Sequence, residues 1–332
     1  MTPVGEILRD EIRRTGPIPF HRFMDAALYH PEHGYYRKAR DPFGAHGDFY
    51  TAEQVQPVFG ILIAERIRML CDRMGRPEGF ALVELGAGRQ EMAEAFREFP
   101  YRPVDLNSAR TAERSAAGMP DHLRGVVFSN EFFDALPVEA AVIRNGQASE
   151  MRVGFADDRF IWTEGDRARE ELECYRKKYF GHLPEGQVIE INLEALDWLD
   201  RIAAVLKAGY VFTIDYGYTA REMVRFPRGT LMSYRRHQAI DDVLKDPGEQ
   251  DITAHVCFTA LEEHGREIGL ERESFGTLAQ TLIAAGERDQ FAGVLAAGSE
   301  GESLRRRLQL KQLLTGMGET FRVLVQWKSG EK

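Results

Sequence analysis

Apolar residues recur at helical spacing along the first part of the chain and then give way to short apolar runs. The pattern over residues 2–15 marks one face of an amphipathic helix, which Gly16 and Pro17 end. Similar spacing returns in two later segments. The sequence therefore predicts N-terminal helices over residues 2–15, 20–29 and 57–74.

The apolar runs that follow are short and are bounded by turn-forming residues. Runs of this kind are typical of strands that are buried on both faces of a parallel sheet. We predict strands at residues 80–85, 101–106, 124–130, 210–218 and 321–327. Helical patterns are found at residues 89–98, 191–209 and 257–269. Strands alternating with helices predict an α/β fold with a doubly wound, mostly parallel sheet.

Two segments interrupt this alternation and are predicted to cover one end of the sheet. Residues 139–162 alternate around the turn at 144–147, which predicts a β-hairpin, and the charged residues 165–182 are predicted to be helical. Residues 219–253 are polar, and this stretch is too long for a plain connection in a compact domain. We therefore expect this last segment to be functional or to be ordered by a ligand.

Composition and charge restrict the class of protein and of partner. The chain has 332 residues, of which 43% are hydrophobic and 29% charged, as in a globular protein with a sizeable core. Its net charge of −9 argues against a broad surface for nucleic acids or acidic membranes, so neither partner is predicted. We see no secretory signal and no apolar stretch long enough to span a membrane, and we expect a cytoplasmic protein.

The spacing of cysteines and histidines predicts neither a disulfide nor a metal site. The three cysteines, Cys71, Cys174 and Cys257, are far apart in the sequence. The nine histidines lack the spacing of a ligand set on a clear scaffold. We therefore expect no bound metal ion.

The segment ELGAGRQ follows the first predicted strand, where ligands bind in doubly wound sheets. A dinucleotide site needs a third glycine, but Gln90 stands there, and Glu84 and Glu91 would repel phosphates. S-adenosylmethionine fits better, because it is cationic and has no phosphate. Gly86 and Gly88 permit its amino-acid end to approach the backbone closely.

Two acids complete this predicted cofactor site. Glu84 suits the positive charges of S-adenosylmethionine, and Asp105, about 20 residues beyond the loop, is placed to bind both ribose hydroxyls. The alternative is that ELGAG is only a tight turn between a strand and a helix.

Seven motifs are distributed over nearly the whole chain. They are PIPFHRFMDAALYHPEHGYY, GDFYTAEQVQPVFG, LVELGAGR, NEFFDALPVE, IDYG, RGTLMSY and PGEQDITAHVCFTAL. In this order and at about this spacing they resemble the MidA-like family of S-adenosylmethionine-dependent methyltransferases, whose mitochondrial members assist the assembly of respiratory complex I. The resemblance implies a seven-stranded Rossmann-like methyltransferase sheet with added helical cover. It also implies protein arginine methylation, the activity of some members.

The resemblance also suggests how the chain is divided. It implies a helical cover with a cofactor-capping loop over residues 1–75, and a methyltransferase core over 76–332 with insertions at about 139–190 and 219–253. In the capping loop, Gly47, Asp48 and Thr51 are implied to lie over the amino-acid end of the cofactor, and a plain glycine turn is the alternative. Two features depart from the family: Gln90 replaces a glycine, and the connection over 106–125 is short.

The segment NEFFDALP follows the predicted strand 124–130, the usual place for catalytic groups of methyltransferases. An arginine guanidinium is poorly nucleophilic, so acids must bind it, localise its charge and accept its proton. Asn130 offers a carbonyl oxygen, and Glu131 and Asp134 offer carboxylates; helix capping is the alternative for Asp134. The ring of Phe132 or Phe133 can form a wall for the sulfonium.

Other polar residues are weaker candidates. His255, four residues after Asp251, can relay a proton if the segment is helical, and a structural histidine is the alternative. Asp215 ends a predicted strand, and we favour a pocket role for it over capping of the strand end. The basic residues 235–237 are predicted to be a solvated face or an anchor for a carboxylate.

The sequence thus predicts a methyltransferase that binds S-adenosylmethionine and modifies an exposed arginine of a protein substrate; a homodimer is compatible with this prediction. Methylation of a small molecule by N- or O-transfer is a second interpretation. A non-catalytic assembly factor that retains the fold is a third, and the two departures from the family favour it.

Overall fold

The computed structural model describes residues 1–38, 52–105, 118–235, 238–240 and 242–330. Contacts divide the chain into two compact units that interleave in the sequence. The first unit comprises residues 1–50, 133–197 and 218–261, and the second comprises 51–132, 198–217 and 262–332. This grouping does not test the predicted division into residues 1–75 and 76–332, which stays a prediction.

The α-helices of the described chain are numbered in chain order. They are α1 Pro3–Thr15, α2 Phe20–Tyr29, α3 Val58–Arg73, α4 Glu170–Tyr175, α5 Leu193–Val205, α6 Phe258–Glu267, α7 Leu278–Glu287, α8 Ala292–Leu295, α9 Glu300–Gln312 and α10 Gly318–Thr320. Short 3-10 or π-helical turns lie at Tyr35–Arg37, Ala52–Gln54, Arg176–Phe180, Ala220–Arg225 and Leu313–Met317.

The strands are numbered in the same way. They are β1 Ile18–Pro19, β2 Phe80–Leu85, β3 Tyr101–Val104, β4 Leu123–Asn130, β5 Glu139–Arg144, β6 Gln147–Ala156, β7 Arg159–Arg167, β8 Val188–Ile191, β9 Leu206–Tyr218, β10 Met232–Arg235, β11 Gln238–Ile240, β12 Asp251–Thr253, β13 Val256–Cys257, β14 Glu271–Thr277 and β15 Phe321–Lys328.

The second unit is built on a mostly parallel sheet, as predicted. Along it the strands follow the order β14-β15-β9-β4-β2-β3. Strands β9, β4, β2 and β3 pair in parallel, whereas β15 and β14 complete the edge antiparallel. Apolar side chains of β2, β4 and β9 pack against α3 and α7 in one core. This arrangement places the carboxyl ends of β2, β3 and β4 at the same edge of the sheet.

The strands at the centre of this sheet approach closely at a row of small residues. Ala81, Gly125 and Gly209 are paired across β2, β4 and β9. Gly125 has φ +151° and Gly209 has φ +138°, and a Cβ atom on either would collide with the carbonyl group of its neighbour in the row. Glycine is therefore required at both positions by backbone packing as well as by conformation.

The first unit contains antiparallel sheets with helical cover. One sheet follows the order β1-β6-β5-β8, with β7 on the other side of β6, and a smaller one follows β11-β10-β12. Helices α1 and α2 bury their apolar faces in a cluster that includes Leu8, Phe20 and Phe23. The predicted hairpin is confirmed, because β5 and β6 pair through a turn at Asn145 and Gly146.

Most predicted elements are confirmed, and two are wrong. Residues 91–98 form successive turns instead of a helix, because Gln90 takes φ +59° and the bonds Gln90 N–H to Ala87 O and Ala93 N–H to Gln90 O span three residues. Asp251 lies in a strand, so it does not share a helical face with His255. No helix in the described part of the chain combines the length and the apolar composition needed to cross a membrane.

We expect Gly125→Ala to destabilise the protein by roughly 3 kcal/mol, since the new methyl group must displace backbone at the centre of the sheet. Urea unfolding followed by circular dichroism measures this. Gly79→Ala is the matched control: Gly79 has φ +74° but open space at its Cβ position, so about 1 kcal/mol is expected from backbone strain alone. Equal losses in the two variants would contradict the close approach of the strands.

Candidate functional site

Several predicted site residues meet at the carboxyl edge of the parallel sheet in the second unit. Glu84 lies near the end of β2, Asp105 directly follows β3, and Asn130 is the last residue of β4. The three strands are parallel neighbours, with Glu84 paired to Pro103 and Phe128. The strand pairing therefore places these three residues at the same edge of the sheet.

Glu84 is buried without a basic partner among the described residues. The residue is 1% exposed, and its Oε2 accepts a hydrogen bond from the hydroxyl of Tyr101. Its Oε1 receives no hydrogen bond from an N–H group or a hydroxyl group in the described part of the chain. Burial is the main reason why the pKa of Glu84 is raised to about 7, and the hydrogen bond from Tyr101 opposes that rise.

The glycine turn after β2 has the left-handed backbone that its sequence requires. Gly86 has φ +72° and Gly88 has φ +46°. A Cβ atom on Gly86 would lie 3.0 Å from Cδ2 of Phe132, so this ring packs directly on the turn. Gln90 has φ +59°, the conformation that the glycine of the family pattern favours. The substitution therefore keeps the backbone path and adds strain.

Asn130 and Glu131 form a hydrogen-bonded pair at the end of β4. Asn130 is 5% exposed, and its Nδ2 donates to Oε1 of Glu131 at 3.1 Å. The same oxygen accepts from the backbone N–H of Ala52 at 3.2 Å. Oδ1 of Asn130 is buried and receives no hydrogen bond from the described residues. Glu131 has φ +50°, and its N–H donates to the carbonyl of Ile214 in β9.

Asp105 and Asp215 differ in their surroundings. Asp105 is half-buried and acts electrostatically on Glu84, whose pKa it raises. Asp215 is fully buried in β9, and its Oδ1 accepts the N–H of Tyr216 at 2.9 Å. One carboxylate oxygen of Asp215 is thus bound by the backbone of the next residue. A role of Asp215 in a ligand pocket stays a prediction.

Asp134 and His255 belong to the first unit. The carbonyl of Asp134 accepts the N–H of Ala254, which brings Asp134 next to the segment that carries His255. Burial lowers the pKa of His255, so the ring is neutral at pH 7. No helix follows Asp134, so the capping interpretation is wrong. The catalytic roles of Asp134 and His255 stay predictions.

Some predicted residues lie outside the described chain, and two residues of the site were missed. Gly47, Asp48 and Thr51 are outside the described residues, as are 236 and 237. The missed residues are Glu53 and Tyr101, both of which contact Glu84. The periodicity of the sequence cannot predict that two acids distant along the chain contact each other. The one available signal was that Glu53 lies within the motif GDFYTAEQVQPVFG.

Comparison with known proteins identifies relatives of this chain. A family model described as "Putative S-adenosyl-L-methionine-dependent methyltransferase" matches residues 110–276. A crystal structure of a protein from Burkholderia thailandensis bound to S-adenosyl-homocysteine is 30% identical, with a TM-score of 0.85 over 99% of this chain and 92% of that chain. A second crystal structure of a protein from that organism gives a TM-score of 0.82 at 29% identity, over 99% of this chain and 92% of that chain.

Curated relatives are more distant in sequence. The Drosophila melanogaster "Protein arginine methyltransferase NDUFAF7 homolog, mitochondrial" is 27% identical over 76% of this chain and 67% of its own length. The Homo sapiens "Protein arginine methyltransferase NDUFAF7, mitochondrial" is 27% identical over 79% of this chain and 68% of its own length. The cytoplasmic prediction is wrong by this comparison, because these relatives are named as mitochondrial.

The chain belongs to this family of S-adenosylmethionine-dependent methyltransferases, and its cofactor is S-adenosylmethionine. The recognition made from the seven motifs is thereby confirmed, as is the predicted fold class.

We expect Gln90→Gly to leave the affinity for S-adenosylhomocysteine within about threefold of wild type and to change stability by less than about 1 kcal/mol. Relief of left-handed strain and the greater freedom of glycine in the unfolded chain oppose each other. Calorimetric titration and urea unfolding measure the two quantities. A large gain in affinity would mean that Gln90 obstructs the cofactor, and the departure from the family pattern would then be functional.

Proposed function

We propose that this methyltransferase transfers a methyl group to an arginine side chain of a protein acceptor. In this proposal Glu84, Asn130, Asp105 and the turn at Gly86 hold the cofactor, and Glu131 faces the acceptor. Two curated relatives carry the name protein arginine methyltransferase, which supports the acceptor class. The acidic residues at the sheet edge support it from this chain's own chemistry.

The observation that carries the proposal is a pair of buried acceptor atoms without N–H or hydroxyl donors in the described residues: Oε1 of Glu84 and Oδ1 of Asn130. An unsatisfied buried acceptor costs about 1–3 kcal/mol, so such atoms indicate where a ligand supplies donors. S-adenosylmethionine carries an ammonium group and ribose hydroxyls, which are donors of the required kind. A phosphate would bring only further acceptors to this edge.

Asp105 completes the cofactor side in this proposal. Its carboxylate follows β3, the strand next to β2, where an acid can accept hydrogen bonds from both hydroxyls of a ribose. The lack of a side chain at Gly86 permits the backbone of the turn to approach a ligand closely. The bound cofactor supplies an electrophilic methyl group on a sulfonium.

Glu131 is suited to the acceptor because its carboxylate is held in place by two donors of the described chain. The N–H of Ala52 and the amide of Asn130 both donate to Oε1, which orients the carboxylate at the end of β4. A carboxylate that binds a guanidinium localises its positive charge away from the attacking nitrogen. It can also accept the proton that the nitrogen must lose.

We expect Glu131→Gln to separate catalysis from binding. The substitution keeps size and hydrogen bonding but removes the charge, so cofactor affinity should stay within a few-fold while methyl transfer falls by ~10²-fold or more. Cofactor binding by calorimetry and transfer of a labelled methyl group to an identified arginine peptide measure the two effects. Glu78→Gln, an exposed acid on the loop before β2, is the control and should change neither.

The opposite result would move Glu131 to the cofactor side. If binding falls while transfer per bound cofactor survives, our assignment of this residue is wrong. If wild type binds S-adenosylmethionine but labels neither peptides nor any protein of a cell extract, the proposed arginine acceptor is wrong.

We expect Asp105→Ala to weaken the binding of S-adenosylmethionine and of S-adenosylhomocysteine equally, by about 1.5–3 kcal/mol, the scale of a hydrogen bond to a charged group. The two ligands share the ribose, so the loss should not depend on the methyl group. Calorimetry with both ligands tests this, and unchanged dissociation constants would show that Asp105 does not bind the ribose.

A further inference from the structure

Helix α3 carries an arginine on its buried face in the second unit. Arg66 lies three residues after Ile63 and four before Leu70, so the three side chains share one face of the helix. Ile63 and Leu70 belong to the core cluster that also contains Tyr210 of β9. Arg66 is only 8% exposed. A guanidinium stays charged in proteins, so this residue brings a positive charge against the apolar core.

Arg66 has no counter-ion in the described part of the chain. Its side chain forms neither a hydrogen bond nor an ion pair with any described residue. Burial, and then the charge of Arg73, lower the pKa of the guanidinium, and only Tyr210 among the described residues opposes them. A buried charge without a partner costs several kcal/mol, so a partner from outside the described chain is expected.

The neighbouring arginines of α3 do have acidic partners. Arg68 pairs with Glu98, and Arg73 pairs with Glu273 of β14. The chain has 52 acidic residues against 43 lysines and arginines, so acids are not scarce. The most buried of these three arginines is therefore the one that the described chain leaves without an acid.

The hydroxyl of Tyr210 is a second polar group at the same place. Tyr210 is 4% exposed, its ring packs on Trp327 with centroids 5.0 Å apart, and its hydroxyl makes no hydrogen bond with a described residue. Burial raises its pKa, and the charges of Arg73 and Arg66 oppose this rise. Neither this oxygen nor a nitrogen of Arg66 is among the fully enclosed polar atoms that lack a hydrogen bond, so both groups reach solvent.

Arg66 and Tyr210 lie away from the edge proposed for the cofactor. Tyr210 is paired with Val126 of β4, whereas Asn130 is paired with Ile214. Four residues of strand separate the two pairs, which is roughly 13 Å. A ligand at Arg66 would therefore occupy a different place from the cofactor.

We propose that Arg66 and Tyr210 form a second binding site, which takes the carboxylate group of a small organic acid. The planar guanidinium presents two parallel N–H donors to the two oxygens of a carboxylate, and the tyrosine hydroxyl can donate to one of them. Arg73 is neutralised by Glu273, which leaves the single charge of Arg66 to be balanced. A carboxylate balances that charge, whereas a phosphate dianion exceeds it.

The test is urea unfolding of the wild-type protein at pH 8 with increasing sodium acetate, balanced by sodium chloride at constant ionic strength. A ligand of the folded state stabilises it with a logarithmic dependence on concentration. We expect this dependence, with a dissociation constant on the order of 1 mM, and a smaller effect of phosphate. A rise that is linear in acetate would mean that Arg66 is only hydrated. An equal or larger effect of phosphate would overturn the assignment of a carboxylate.

Arg66→Met is the decisive variant, because methionine can replace the apolar stem of the arginine without its charge. In chloride alone we expect a higher unfolding midpoint than in wild type, since an unpaired buried charge is removed. The logarithmic response to acetate should disappear. A lower midpoint in chloride alone, or a response equal to that of wild type, would overturn the inference. Arg68→Met, which removes an arginine of the same helix, is the matched control and should keep the wild-type response.

Two further variants test the geometry of the site. Arg66→Lys keeps the charge but loses the paired donors, and Tyr210→Phe loses one hydroxyl, so each should weaken acetate binding by about tenfold. Unchanged affinity in both would contradict the proposed contacts. Arg66→Lys also decides the question if Arg66→Met does not fold. None of these measurements needs the cofactor or a methyl acceptor, so their outcome is independent of the proposed function.

Discussion

Burial of acidic groups where the parallel strands end is the constraint on which the site depends. A carboxylate that leaves water without a counter-ion loses several kcal/mol of solvation, and neither Glu84 nor Glu53 has a basic partner in the described chain. At Glu84 the hydroxyl of Tyr101 offsets part of this cost. This neutral donor can be supplemented by a cationic ligand, whereas a resident arginine or lysine would compete with it. The same acidity distinguishes this glycine turn from one that binds a dinucleotide, because phosphates would be repelled.

Backbone strain is concentrated around that edge. Gln90 and Glu131 both adopt left-handed backbone, which costs of order 1–3 kcal/mol for a residue other than glycine. At Glu131 the surrounding structure enforces the conformation, since its N–H is bound by Ile214 and its carboxylate by Ala52. The strain therefore fixes the direction of the carboxylate before any ligand arrives. At Gln90 the strain maintains a turn for which glycine is better suited, so the fold tolerates this departure from the family.

The sequence predicted those features that depend on short-range order. The buried run of β2, the glycine turn after it and the acid after β3 all follow from local composition, and parallel pairing then brings them to one edge. Glu53 could not be predicted in this way, because its significance depends on contact with Glu84, which lies in a different element. The absent helix after Gln90 has a similar cause: its apolar spacing is helical, but one left-handed residue breaks the hydrogen-bond pattern. The division into two interleaved units could not be predicted either, because segments far apart in the sequence contribute to each unit.

Asn130 links the cofactor side of the proposed site to the acceptor side. Its amide has one donor end and one acceptor end, and the carboxylate of Glu131 can accept only from the donor end. This hydrogen bond orients the amide and turns Oδ1 away from Glu131. A glutamine at position 131 keeps an oxygen that can accept the same bond, so the orientation does not require the charge. In the proposed function Glu131 thus has two purposes: its carboxylate presents a negative charge to a cationic acceptor, and its side-chain oxygen orients the amide of Asn130 at the end of β4.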